Sequence, residues 1–192
     1  MKFVKSKTAI FIVVISFLLS IFFTVGALEE SPMKFDEWMS SLIEEIFPHT
    51  TVPFFEAVSE LGSALGIGVV GILFIIWLWW KKRDYLGMAV FVLAVAVGNE
   101  VNQWIKEVVG RPRPISPASS EMESLSFPSG HAMVGLILYM LIAYFLIKET
   151  QSKSSKWLIG IIAGAIIFLV GISRNVLQVH YPSDVWGGYF LG

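Results

Sequence analysis

LGIGVVGILFIIWLWW, residues Leu65–Trp80, runs for sixteen residues without a charge and is followed at once by Lys81-Lys82-Arg83. A helix crossing ~30 Å of hydrocarbon needs about 20 mostly apolar residues, and paired tryptophans suit a headgroup interface. The stretch reads as a transmembrane helix with a basic end. The pattern recurs on both sides of it, with further spans at about 8–28, 85–104, 132–147 and 157–172. A sixth opens at Asp184 and is cut short at Gly192. The expected fold is all-α: a polytopic membrane protein of six spans, built as one membrane-embedded domain over residues 1–192.

Composition agrees. The chain is 55% hydrophobic and 15% charged, with a mean hydropathy of +0.71, whereas soluble domains carry about 25% charged residues. Cysteine is absent, which removes disulfides and Cys-based metal sites. A net charge of −1 lacks the basic excess of a nucleic-acid binder. Met1–Ala27 has the basic start and small-residue end of a signal peptide, but its apolar stretch exceeds the usual length of about 7–15 residues. A retained span is the better reading.

Sidedness follows from Lys and Arg. Lys2, Lys5, Lys7, Lys81, Lys82, Arg83, Lys148, Lys153 and Lys156 fall on one face by parity, which the positive-inside rule makes cytoplasmic. The opposite face carries Lys34, Lys106, Arg111, Arg113 and Arg174. Most of these exceptions sit in three polar islands: Lys106–Pro114, Phe127–His131 and Ser173–Asp184. An ionisable group at membrane depth costs roughly 2.5–3.5 kcal/mol even on lenient scales, so such groups are functional candidates. Parity brings all three islands to the non-cytoplasmic face, where a composite site can form.

Each island offers a fragment of phosphate chemistry. In Lys106-Glu-Val-Val-Gly-Arg-Pro-Arg113-Pro114, an arginine fork matches phosphate oxygens and Lys adds a point charge; such a pair also snorkels to lipid headgroups. In Phe127-Pro-Ser-Gly-His131, Ser129 is an expected N-cap. The N–H groups of Ser129, Gly130 and His131 would face outward at a positive helix end, and His131 can donate a proton. In the third island Pro182 prevents one helix from holding both His180 and Asp184. His180 is expected on a turn, with Ser183 capping the last span and Asp184 orienting the imidazole.

Together the islands resemble the type 2 phosphatidic acid phosphatases, a family of membrane lipid phosphatases with the pattern K-x6-R-P, P-S-G-H and S-R-x5-H-x3-D. Here these are Lys106 to Arg113-Pro114, Pro128-Ser129-Gly130-His131, and Ser173-Arg174 to His180 to Asp184. The resemblance covers roughly residues 50–192. It implies a catalytic His180 that attacks phosphorus and forms a phosphohistidine, an Asp184 that orients it, and a His131 that protonates the departing alcohol. Lys106, Arg113, Arg174, Ser129 and the Gly130 amide would bind the phosphoryl oxygens. No metal, cofactor, nucleic acid or protein partner is implied. The substrate would be a lipid phosphate in the bilayer of the cell membrane, met on the extracytoplasmic face with the N-terminus inside. Phosphatidylglycerophosphate is the first expectation, undecaprenyl pyrophosphate the second, phosphatidate or diacylglycerol pyrophosphate the third. Arg111 lies outside the pattern and reads as a solvated or headgroup-facing charge.

Two rivals fit less well. A vanadium-dependent haloperoxidase would share the constellation but not the apolar spans, and a transporter would distribute its ionisable groups along a path through the bilayer. Elsewhere, residues 33–47 predict a short interfacial helix capped at Ser31-Pro32. Its apolar face is Phe35, Trp38, Met39, Leu42, Ile43, Ile46 and Phe47, with Asp36, Glu37, Glu44 and Glu45 opposite. Glu100 reads as a buried partner inside the bundle, and His49 as a surface residue.

Overall fold

The computed structural model describes residues 7–29, 31–116 and 124–192, apart from the side chain of Lys82. Lys2 and Lys5, counted above on the cytoplasmic side, lie outside the described residues. Within them the chain forms helices α1 Lys7–Ala27, α2 Lys34–Ile46, α3 Val52–Glu60, α4 Ala64–Lys82, α5 Tyr85–Val109, α6 Gly130–Glu149, α7 Lys153–Val176 and α8 Pro182–Leu191. A 3-10 turn at His49–Thr51 precedes α3. No strand occurs among the described residues.

Five of these helices, α1, α4, α5, α6 and α7, are long and apolar enough to cross a membrane. The protein is a multi-pass membrane protein. Helices α4, α5, α6 and α7 run longer than hydropathy alone marks them: α5, of 25 residues, extends about 37 Å at 1.5 Å per residue. Its last turn carries Lys106 and would lift that residue beyond the apolar layer. The final element begins at Pro182, two residues before the expected Asp184, and holds 10 residues.

Local chemistry explains the boundaries. Ser63 caps α4 by accepting the Gly66 N–H at 3.0 Å, and Asp84 caps α5 by accepting the Gly87 N–H at 2.8 Å. Gly110 ends α5 in the left-handed region at φ 65°, the conformation glycine adopts most readily. Two expected caps are corrected. Met33 occupies the N-cap of α2, where its N–H donates to Asp36 Oδ2 at 3.1 Å. Tyr181, rather than Ser183, caps α8, and its N–H donates to Asp184 Oδ2 at 2.8 Å. In both helices the carboxylate at the third helical position reaches back to the N-cap amide, as the acid of a capping box does.

Helix α6 is the most enclosed span and packs against α5, α7 and α8, while α1 packs on α8 and α3 on α7. Phe74, Leu78, Phe91, Leu138, Tyr139, Phe145 and Ile167 form one apolar cluster through α4–α7. A second joins α1 and α8 through Phe23, Ala27 and Phe127, with Phe35, Trp186 and Phe190 packed on it. Lipid is as apolar as these side chains, so their contribution is close packing rather than escape from solvent.

Helix α3 was not apparent from the sequence. Helix α2 was, but its faces differ from expectation. Asp36, placed above on the polar side, is 2% exposed, while Trp38 and Ile46 point outward. Glu100 is also corrected: it lies on the exposed surface of α5, not inside the bundle.

Candidate active site

The three islands converge at one end of the bundle. Backbone hydrogen bonds sew them together: the Ser126 N–H donates to Arg111 O at 2.8 Å, and the Ser129 N–H donates to Asp184 O at 3.0 Å. The latter corrects one expectation, since the Ser129 amide is engaged within the protein. Ser129 is the N-cap residue of α6, yet its hydroxyl makes no capping bond. It is instead a buried oxygen without a hydrogen-bond partner.

His180 sits in the turn between α7 and α8, 4% exposed. Its backbone N–H donates to Arg174 O at 3.3 Å, and its carbonyl accepts from Asn175 Nδ2 at 3.0 Å. The ring has three polar neighbours, one of them the Ser126 hydroxyl at 3.4 Å from Nδ1. Arg113 Nη1 lies 3.1 Å from Nε2, and Asp184 Oδ2 lies 3.4 Å from Nδ1. A guanidinium can only donate, so Nε2 must accept, and the proton belongs on Nδ1 facing Asp184. The neutral ring therefore has its basic nitrogen aimed at the arginine that holds it. Burial, only partly opposed by Asp184 and reinforced by Arg113 and Lys106, pushes the imidazole down from 6.5 to about 3.

Asp184 is wholly buried. Besides the Tyr181 amide, its Oδ2 accepts from the Ser126 hydroxyl, while Oδ1 accepts from Arg111 Nη1 at 2.8 Å. Arg111 is the main correction of this site. Expected to face headgroups, it is 5% exposed, and its Nη2 forms a second ion pair with Asp36 Oδ2 at 2.8 Å. Its guanidinium also stacks on Tyr181 with the central carbon 4.1 Å from the ring centre.

The remaining cations approach from three elements. Lys106, from the last turn of α5, donates to Leu125 O at 2.5 Å and Ser126 O at 3.2 Å. Arg113 is held by Ser124 through Nε and Nη2 at 2.8 Å each, and by Val179 O at 2.6 Å. Arg174, at the end of α7, donates from Nη1 to the Ser59 hydroxyl of α3 at 2.6 Å. Its Nε, also buried, has no partner. His131 lies in the first turn of α6, within electrostatic reach of Arg174, His180, Arg113 and Lys106. Gly130 beside it leaves room for Asn102, whose Nδ2 donates to Pro128 O at 3.3 Å. A buried Arg Nε and a buried Ser hydroxyl without partners, among three cations, make a place fitted to an anion with several oxygens.

All eight residues expected from the sequence thus lie in one cluster. Asp36, Ser59, Asn102 and Ser126 were missed, because none falls at a motif spacing, and Ser183 was expected only as a helix cap.

The profile of the PAP2 superfamily matches residues 85–192, more than half of the chain. Phosphatidylglycerophosphatase B of Bacillus subtilis is 43% identical over 102 residues, 53% of this chain and 50% of that protein. Undecaprenyl-diphosphatase of Sulfolobus acidocaldarius is 28% identical over 121 residues, 58% and 52% respectively. The chain thus spans about half the length of the curated relatives it matches. Among solved structures, a transmembrane PAP2-type phosphatidylglycerolphosphate phosphatase from Bacillus subtilis superposes with a TM-score of 0.83 at 29% identity, over 93% of this chain and 89% of that one. LpxE of Aquifex aeolicus shares the fold, with a TM-score of 0.59 at 22% identity over 80% of this chain and 87% of that one.

Proposed function

We propose, from the premise that the chain belongs to the PAP2 superfamily, that it is a membrane phosphatase hydrolysing a lipid phosphate through a phosphohistidine. The observation that carries this reading is the pinned neutral His180, with Nδ1 toward Asp184 and Nε2 on Arg113 at 3.1 Å. An incoming phosphoryl group competes for that arginine and frees the Nε2 lone pair for attack.

The Nε2–P bond then forms as the P–O bond to the lipid breaks. His131 gives its proton to the departing oxygen, so a neutral alcohol leaves. The positive charge left on the phosphorylated ring is stabilised by Asp184 through the Nδ1 proton. Water next attacks phosphorus, loses a proton to His131, and the P–Nε2 bond breaks to release inorganic phosphate. Throughout, Lys106, Arg113 and Arg174 offset charge on the phosphoryl oxygens, with Ser129 and the Gly130 amide as neutral donors.

Phosphatidylglycerophosphate is the substrate we assign first, supported by the 43% identity to a phosphatidylglycerophosphatase and the fold shared over most of the chain. An undecaprenyl-diphosphatase among the relatives supports undecaprenyl pyrophosphate as the second reading. The Lys and Arg distribution supports a cell-membrane protein with its N-terminus in the cytoplasm and the site outside. The test is phosphate release by purified protein from phosphatidylglycerophosphate, phosphatidate and undecaprenyl pyrophosphate, with His180→Ala as blank. Greatest kcat/KM on the first lipid is expected. Preference for the pyrophosphate would select the second reading, and no release from any would remove both.

A further inference from the structure

Arg111 binds two carboxylates that occupy equivalent positions at the starts of two helices. Asp36 Oδ2 accepts the Met33 N–H of α2, and Asp184 Oδ2 accepts the Tyr181 N–H of α8. Arg111 lies between them, with Nη2 on Asp36 and Nη1 on Asp184, each at 2.8 Å. Ser183 completes the ring. Its hydroxyl accepts from Arg111 Nη1 at 2.7 Å and donates to Asp36 Oδ2 at 2.9 Å, while its N–H donates to Asp36 Oδ1 at 2.7 Å. Asp36, Arg111, Ser183 and Asp184 are all buried.

The arrangement matters at Asp184. Its Oδ2 must face His180 Nδ1, and rotation of the carboxylate would exchange the two oxygens. Arg111 holds Oδ1, so Oδ2 stays where the imidazole needs it. Asp36 in turn fixes the guanidinium plane and ties down the first turn of α8 through Ser183. One planar fork serves two acids at once, which a lysine ammonium on its single tether does not reproduce.

We propose that Asp36 and Arg111 are positioning residues of the reaction, with the interfacial helix α2 aligning the His180–Asp184 pair through the Asp36–Arg111–Asp184 chain. The proposal rests on the phosphatase reading given above. It assigns catalytic consequence to a helix outside the matched family region and to an arginine outside the family pattern.

The test measures kcat and KM for a lipid phosphate and for a water-soluble phosphate monoester, with the folded fraction read by thermal unfolding in detergent. Parent, Arg111→Lys, Asp36→Asn, Asp36→Glu and the Asp36→Asn/Arg111→Lys double variant are compared. Arg111→Lys should lower kcat about 100-fold with KM within about twofold, because the cationic cradle is untouched while the nucleophile is misaligned. Asp36→Asn should lower kcat about 10-fold, as loss of a supporting partner does, and Asp36→Glu should recover part of it. The double variant should be no slower than Arg111→Lys alone, since both break one chain. Folded variants with parental kcat overturn the proposal, as does a loss wholly explained by unfolded protein or an equal rise in KM. An inactive parent would instead remove the phosphatase reading itself.

Discussion

A histidine held neutral by a cation is an unusual economy at the scale of a residue. Arg113 donates to Nε2 and so keeps it unprotonated, and it is also among the groups proposed to receive the phosphate. His180→Ala should therefore lower phosphate release by about 10⁴-fold or more, as removal of a nucleophile does elsewhere; residual turnover by folded protein would sink that role. The pH behaviour follows from burial. With the folded value pushed down to about 3 from 6.5, the unfolded chain takes up a proton at this position as pH falls from 6.5 toward 3, and the folded chain does not. Stability contributed through His180 is thus lost across that window on acidification. Ring C–H resonances of isotope-labelled His180 should stay at their neutral positions from pH 8 to 5; titration near 6.5 would show that the imidazole is not buried as described. The motif residues were legible because fixed local spacing identifies them. Arg111 was not, since its partner Asp36 lies 75 residues away and no periodicity connects the two.

Among elements, the hydropathy of each span was legible because hydrocarbon admits almost nothing else, but the ends were not. Helices α5 and α7 carry Lys106 and Arg174 in their last turns, where polar composition masks the continuing helix. Helix α3, only 9 residues long, is too short to give a clear period, yet its Ser59 braces Arg174. The corner between α3 and α4 is equally close to the chemistry. A Cβ on Gly62 would lie 2.9 Å from His131 Cδ2 and overlap Val170. Gly62→Ala should displace His131, the proposed acid, and lower kcat by about 100-fold; unchanged kcat in folded protein would free His131 of that constraint. At Gly171, deeper in α7, a Cβ would collide with the Tyr189 hydroxyl of α8, which donates to Ile167 O at 2.7 Å. Gly171→Ala should destabilise the protein by about 1–3 kcal/mol, seen as a lower unfolding midpoint in detergent.

For the whole molecule, sidedness is open to direct measurement because the chain has no cysteine. Thr50→Cys, exposed before α3, should react with an impermeant maleimide on intact cells, whereas Gln151→Cys, exposed between α6 and α7, should react only after lysis. The opposite result would invert the topology. The support given to Arg174 by Ser59 and to Arg111 by Asp36 has a consequence for modularity. Residues 85–192 contain every motif position and would look like a transplantable catalytic cassette. Yet two of its arginines take partners from residues that come earlier in the chain. A chimera joining that half to a foreign membrane anchor would keep the signature intact and leave both guanidinium groups without their braces.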